Sequence, residues 1–169
     1  MQKVLSRENI KWIPYKNLVE FYTCRELPAF DAPVTTVHGF FFKGEKLLLV
    51  RHKRRGWEVP GGHIHEGESY GEAMRRELAE EAQMHCDTLS PLGFLKKIAL
   101  EDKPENCLYP HPLSYCIFYS AEISDINKFT GDKSIIEARF FTLEEASQAA
   151  WIDEYRCYFD EFLKRNELS

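Results

Sequence analysis

The chain has 169 residues, 44% of them hydrophobic, 29% charged and 14% aromatic, a balance that excludes a disordered or low-complexity chain and suits one domain with a substantial core. Twenty-two Lys and Arg stand against 27 Asp and Glu, a formal net charge of −5. This argues against a protein held to a nucleic-acid polymer by summed positive charge, and leaves open an anionic small molecule met by a local cation cluster or a metal.

No repeat or linker interrupts residues 1–169, so a single domain is expected. Within residues 1–31, Ile10-Lys11-Trp12-Ile13 and Val19-Glu20-Phe21-Tyr22 read as short strands. The β-branched and aromatic residues from Pro33 to Phe42 predict a strand, Lys43-Gly44-Glu45 a turn, and Lys46 to Arg51 the hairpin partner. After Trp57-Glu58-Val59, the run Pro60-Gly61-Gly62 predicts a loop. Ser69-Tyr70-Gly71-Glu72 has the form of a capping box opening a helix from about Tyr70 to Gln83. Leu92 to Leu100, Ser114 to Ile123 and Ala138 to Phe141 read as strands. Two helices then close the chain, Leu143 to about Ala149 and Ile152 to about Arg165, the second with Tyr155, Tyr158, Phe159, Phe162 and Leu163 as a core stripe. The apolar runs fall far short of the ~20 residues needed to cross a bilayer, and Met1 to Lys11 lacks the apolar block of a leader. The expectation is a cytoplasmic protein with no membrane partner. Five widely spaced cysteines without a Cys-x-x-Cys pair read as reduced thiols.

The chemistry concentrates between Arg51 and Met84. At ~100° per residue, Glu77, Glu80 and Glu81 fall in one sector of the helix, beside an apolar stripe of Met74, Leu78 and Ala82. Like charges so placed repel, and a divalent cation removes the conflict. Oxygen ligands of this kind suit Mg²⁺ or Mn²⁺, with Mg²⁺ reserving positions for water and phosphate oxygens. Gly61 and Gly62 allow a close backbone approach, and the capped helix start favours anions. Arg51, Lys53, Arg54 and Arg55 put four cations in five positions, where phosphate oxygens are expected.

From Gly62 the chain reads Gly, five residues, Glu68, seven residues, Arg76-Glu77-Leu78, one residue, Glu80-Glu81, one residue, Gln83-Met84. This resembles the Nudix box, residues 62–84, at every defined position except the last glycine, where Gln83 stands. The resemblance implies an α/β fold, an α/β/α sandwich around a mixed β-sheet, and Mg²⁺- or Mn²⁺-dependent hydrolysis of a nucleoside diphosphate linked to another moiety. It implies that Glu77, Glu80 and Glu81 are the metal-binding and catalytic acids, with Glu81 favoured as the base, and that the Gly61 carbonyl is a further ligand. Glu68 and Arg76 take positions that brace the loop against the helix. Arg51 and Arg55 are candidates for substrate phosphates, and Asp132 and Glu137, before the last strand, for an additional contact. Gln83 is expected to cost on the order of 1 kcal/mol at a left-handed helix exit, or to redirect that exit.

Specificity lies outside the box. The proline of many ADP-ribose-cleaving members is replaced here by Leu100, and the tyrosine of many dinucleoside-polyphosphate members by Asp102. The approach Arg55-Gly56-Trp57-Glu58-Val59-Pro60-Gly61-Gly62 is most similar to the MutT type. The expected substrate is a nucleoside triphosphate, with oxidised dGTP among the candidates, cleaved to monophosphate and pyrophosphate. The alternatives are ADP-ribose, a nucleotide sugar or a dinucleoside polyphosphate, or a domain that binds a nucleotide without hydrolysing it. The expected partner is a small nucleotide and not a nucleic-acid polymer, and the residues carry no signal of oligomeric state.

Overall fold

The structure is a computed structural model that describes residues 1–105, 107, 110–123 and 134–168. Nine strands form one sheet among these residues: β1 (Gln2–Glu8), β2 (Asn17–Thr23), β3 (Val34–Lys43), β4 (Lys46–His52), β5 (Gly56–Glu58), β6 (Gly61–His63), β7 (Ser90–Ala99), β8 (Leu113–Glu122) and β9 (Ile135–Thr142). The main path runs β1-β2-β7-β8-β3-β4-β5, with β6 added to β3 and β9 added to β4. β3 and β8 are parallel and the other pairs antiparallel, so the sheet is mixed.

Helices cover both faces. α1 (Tyr70–Ala82) lays Met74, Leu78 and Ala82 on Val37, Phe41 and Ile117, while α3 (Ala150–Glu154) and α4 (Arg156–Arg165) bring Ile152, Tyr158, Phe159 and Phe162 onto Phe21, Phe40 and Phe118 of the opposite face. This is the α/β/α sandwich. Alternate residues of β3 serve opposite cores, as the two-residue strand period requires. The Tyr158 hydroxyl donates to the Phe94 carbonyl at 2.6 Å, which keeps its one polar atom satisfied inside the aromatic layer. α2 (Leu143–Ser147) is a single capped turn leaving β9.

Three local expectations need correction. Ile10–Ile13 is not a strand: the first strand is Gln2–Glu8, and residues 9–16 form a loop closed by Asn17, whose side chain accepts from the Ile10 N–H and donates to the Ile10 and Tyr15 carbonyls. Gly61-Gly62 is not wholly loop, because Gly61–His63 pairs with His38, Val37 and Thr36 of β3. The last helix is broken at Tyr155, whose φ of −108° and ψ of 30° separate α3 from α4.

β3 positions the site. Its C-terminal end pairs with β4 through Phe42 and Lys43, whereas its N-terminal half pairs on that same edge with β6. β4 meanwhile diverges to pair with β5 and β9. A gap therefore opens between β6 and the β4-β5 arm, and α1 lies beside it.

Candidate active site

α1 is started by the anticipated capping box: the Ser69 hydroxyl accepts from Glu72 N–H at 3.3 Å, and the Glu72 carboxylate accepts from Ser69 N–H at 2.8 Å. Its other end is capped by Gln83 in the left-handed region, φ 55° and ψ 38°, with its N–H donating to the Ala79 carbonyl. The helix exit is thus the ordinary left-handed one, formed without glycine. Glu77 and Glu81, one turn apart, are each 8% exposed, while the Glu80 side chain is 54% exposed.

β6 meets this helix face through its glycines. The bonds from Gly39 N–H to the Pro60 carbonyl and from Ile64 N–H to the Thr35 carbonyl flank Gly61, so strand alternation turns the Gly61 N–H and carbonyl away from β3. That N–H donates to Glu81 Oε2 at 2.9 Å. A Cβ on Gly62 would fall on the Glu77 carboxylate, and one on Gly61 on His38 and the Val37 carbonyl, so both positions need glycine for close approach.

Arg76 ties the parts together. Its guanidinium donates to both Glu68 oxygens at 2.7 and 3.1 Å, to Glu77 Oε1 at 2.8 Å, to Glu80 Oε2 at 3.2 Å and to the His63 carbonyl at 2.8 Å. Glu68 also accepts from His65 N–H at 2.9 Å. Hydrogen bonds from Arg76 and from this N–H pull the Glu68 carboxyl down to about 2, and Glu68 in turn raises the Arg76 guanidinium.

The two buried acids move the other way. Burial raises Glu77 against the favourable pull of Arg76. Burial also pushes Glu81 up to about 8, opposed by the Gly61 N–H and reinforced by the neighbouring charges of Glu77 and Glu58.

Glu58 was not anticipated. It is 6% exposed, sits at the end of β5 opposite Val50, and accepts Arg55 Nε at 2.9 Å and Arg55 Nη2 at 2.7 Å. Its only sequence signal is position: Val50 and Glu58 face the α1 core, so a carboxylate there is buried beside Glu81. Arg55 accordingly stands near the carboxylates, raised chiefly by Glu58. Arg51 and Glu137 are not brought into this group. They face one another across β4 and β9, 3.9 Å apart, with the side-chain parity of Leu49, on the face away from α1. Asp132 lies outside the described residues.

The donors facing the gap are the carboxylates of Glu77, Glu80 and Glu81 and the Gly61 carbonyl, a hard oxygen set that fits Mg²⁺ or Mn²⁺ and offers no thiolate. Two buried, adjacent carboxylates that favour protonation are also the groups a cation would neutralise. Among the described residues, no three His, Cys, Asp or Glu side chains already converge as a ligand cluster. Arg76 holds Glu77 and Glu80 while Gly61 N–H holds Glu81, so ligation requires these side chains to turn from their present partners.

Comparison with known proteins agrees with the fold. The chain is 28% identical over 114 residues to an RNA pyrophosphohydrolase of Ruthia magnifica, covering 68% of this chain and 63% of that relative's length. Its fold superposes on a Bacillus subtilis pyrophosphohydrolase with a TM-score of 0.70 at 21% identity, covering 100% of both chains. It also superposes on the NUDIX domain of Shewanella oneidensis NrtR, solved with ADP-ribose, with a TM-score of 0.62 at 21% identity over 80% of this chain and 90% of that one. The NUDIX domain profile matches residues 32–162, from before β3 into α4, and the chain belongs to the Nudix family.

Proposed function

We propose that the chain hydrolyses a phosphoanhydride bond in a nucleoside diphosphate linked to another moiety. The observation that carries this reading is the pair of buried carboxylates, Glu77 and Glu81, set against Gly61-Gly62 and braced by Arg76. Glu77, Glu80, Glu81 and the Gly61 carbonyl would hold Mg²⁺ or Mn²⁺, which when bound supplies neutralisation of phosphoryl oxygens and activation of water. Glu81, whose carboxylate accepts the Gly61 N–H beside the other acids, is the side chain assigned to take the water proton. Arg76 and Glu68 act through the others, fixing β6 and the helix so that the acids meet the substrate in one orientation. Arg55, anchored on Glu58 near Glu81, is the candidate for a phosphate contact.

A free nucleoside triphosphate, oxidised dGTP included, cleaved to monophosphate and pyrophosphate, is the preferred substrate. A second reading, the 5′-triphosphate end of an RNA, is favoured by the similarity to an RNA pyrophosphohydrolase. Such an enzyme needs to grip only a terminus, so the net charge of −5 does not oppose it. The test is product formation from nucleoside triphosphates, ADP-ribose, a dinucleoside polyphosphate and a 5′-triphosphorylated RNA with Mg²⁺, by wild type and Glu81→Gln. Metal-dependent turnover of one class, reduced at least ~100-fold in the variant, is expected. Tight nucleotide binding with no turnover of any substrate would instead identify a binding domain.

A further inference from the structure

The short turn 53–55, which joins β4 to β5, is closed by a side chain. His52 Nδ1 accepts the backbone N–H of Arg54 at 3.1 Å and that of Arg55 at 3.3 Å. A ring nitrogen accepts only when it carries no proton, so this geometry assigns the neutral tautomer with its hydrogen on Nε2. Histidine Nδ1 and asparagine Oδ1 stand at the same place, one bond beyond Cγ, and His52 therefore does here what asparagine does in an Asx-turn. Lys53 N–H donates to the Ser134 carbonyl at 3.0 Å, which ties the start of the turn to the chain entering β9.

Arg55 is thus held twice, its main chain by His52 and its guanidinium by Glu58. Glu58 takes Nε–H and one Nη2–H, two of the five N–H groups, and the other three have no partner among the described residues. The Arg55 side chain is 60% exposed while its Glu58 anchor is buried, so the remaining donors are open to a ligand. Its charge acts on Glu81 and on His38, the register partner of Gly61, which places the guanidinium at the gap between β6 and the β4-β5 arm. Unused planar donors beside acids suited to a cation are the complement of a metal-bound phosphate.

We propose that His52 is a positioning residue of this site: through its unprotonated Nδ1 it folds the 53–55 turn so that Arg55, pinned on Glu58, meets a phosphate oxygen of the substrate. The inference rests on the phosphoanhydride-substrate reading and adds to it a residue that acts only through Arg55. An arginine on a loose turn loses backbone and rotamer freedom when it grips a phosphate, and a turn ordered in advance removes that cost. His52 lies on the turn and touches no reacting atom in this role, so its contribution falls on binding and not on the chemical step.

The experiment is calorimetric titration of the intact protein with inorganic tripolyphosphate in Mg²⁺ buffer, for wild type, His52→Ala, Arg55→Ala, the double variant and His52→Asn. Arg55→Ala should weaken binding about tenfold or more and His52→Ala about three- to tenfold. On the Arg55→Ala background His52→Ala should add nothing, because the two residues form one device. His52→Asn, whose Oδ1 can accept the same N–H groups, should bind within about twofold of wild type. For whichever nucleotide the wild type cleaves, His52→Ala should raise KM by the same factor and leave kcat within about twofold. His52→Leu, which keeps bulk without an acceptor, replaces His52→Ala if the latter does not fold. Wild-type affinity in Arg55→Ala, an equal effect of His52→Ala with and without Arg55, no recovery in His52→Asn, or no binding of tripolyphosphate by wild type would overturn the proposal. Turnover of nucleotides with none of these shifts overturns the role of His52 alone; the tripolyphosphate pattern without turnover of any nucleotide leaves it standing and removes the hydrolase reading.

Discussion

Glu81 and Arg76, both on α1, have opposite electrostatic settings, and each makes a measurable prediction. Glu81 binds its proton more tightly in the folded chain, at about 8, than at the ordinary carboxylate value of 4.5. Between those values the folded chain holds more protons than the unfolded one, so metal-free stability falls as pH rises through that window and levels off above it. Thermal melts from about pH 5 to about pH 9 should show this decline, and Glu81→Gln, uncharged throughout, should flatten it and raise the melting temperature at the alkaline end. Adding Mg²⁺ to wild type should restore part of the alkaline loss, because the cation takes the place of the proton. Arg76 is the converse: its side chain and that of Glu68 are both only 20% exposed and doubly bonded. Arg76→Ala should cost about 1–3 kcal/mol in denaturant unfolding, and Arg76→Lys, which lacks the planar fork, should recover only part of it.

At the scale of elements, α1 and its flanks were the most legible part of the chain, since capping box, apolar stripe and acid spacing are all local. The Gln83 exit illustrates what local reading can add. A non-glycine residue at φ 55° carries a backbone cost that glycine avoids. Gln83→Gly should therefore stabilise the protein by about 0.5–1 kcal/mol, read as a shift of the unfolding midpoint, with activity unchanged. Several misses were decided by partners outside the segment itself. Ile10–Ile13 has strand composition, yet Asn17 folds it into a loop. Gly61-Gly62 has loop composition, but β3 offers it an edge left unpaired by the divergence of β4. Glu58 reads as a surface carboxylate until its pairing with Val50 turns it toward α1. Arg51, four residues before Arg55, is separated from it because Arg51 lies on β4 with the parity of Leu49 whereas Arg55 lies in the turn that follows and reaches Glu58.

For the whole molecule, the branching of the sheet at β3 joins fold to site: one edge serves two strands, and the acids of α1 reach the gap between them. The aromatic layer beneath α4 packs against that sheet from the other side. Removing the hydroxyl in Tyr158→Phe takes one buried hydrogen bond from the Phe94 carbonyl, and should cost about 0.5–1.5 kcal/mol by chemical denaturation with little effect on turnover. The overall charge of −5 no longer speaks to the sign of the ligand, because Glu77 and Glu81 are buried at a site suited to a cation and Arg55 and Arg76 stand against them. The most direct measurement is phosphoanhydride cleavage of a nucleoside triphosphate or 5′-triphosphorylated RNA by wild type, Glu81→Gln and Glu77→Gln, each with Mg²⁺ and with chelator. The account predicts turnover by wild type only with the metal, and a loss of at least ~100-fold in both variants with their fold intact. Turnover in chelator equal to that in Mg²⁺, or full activity in folded Glu81→Gln and Glu77→Gln, would contradict it.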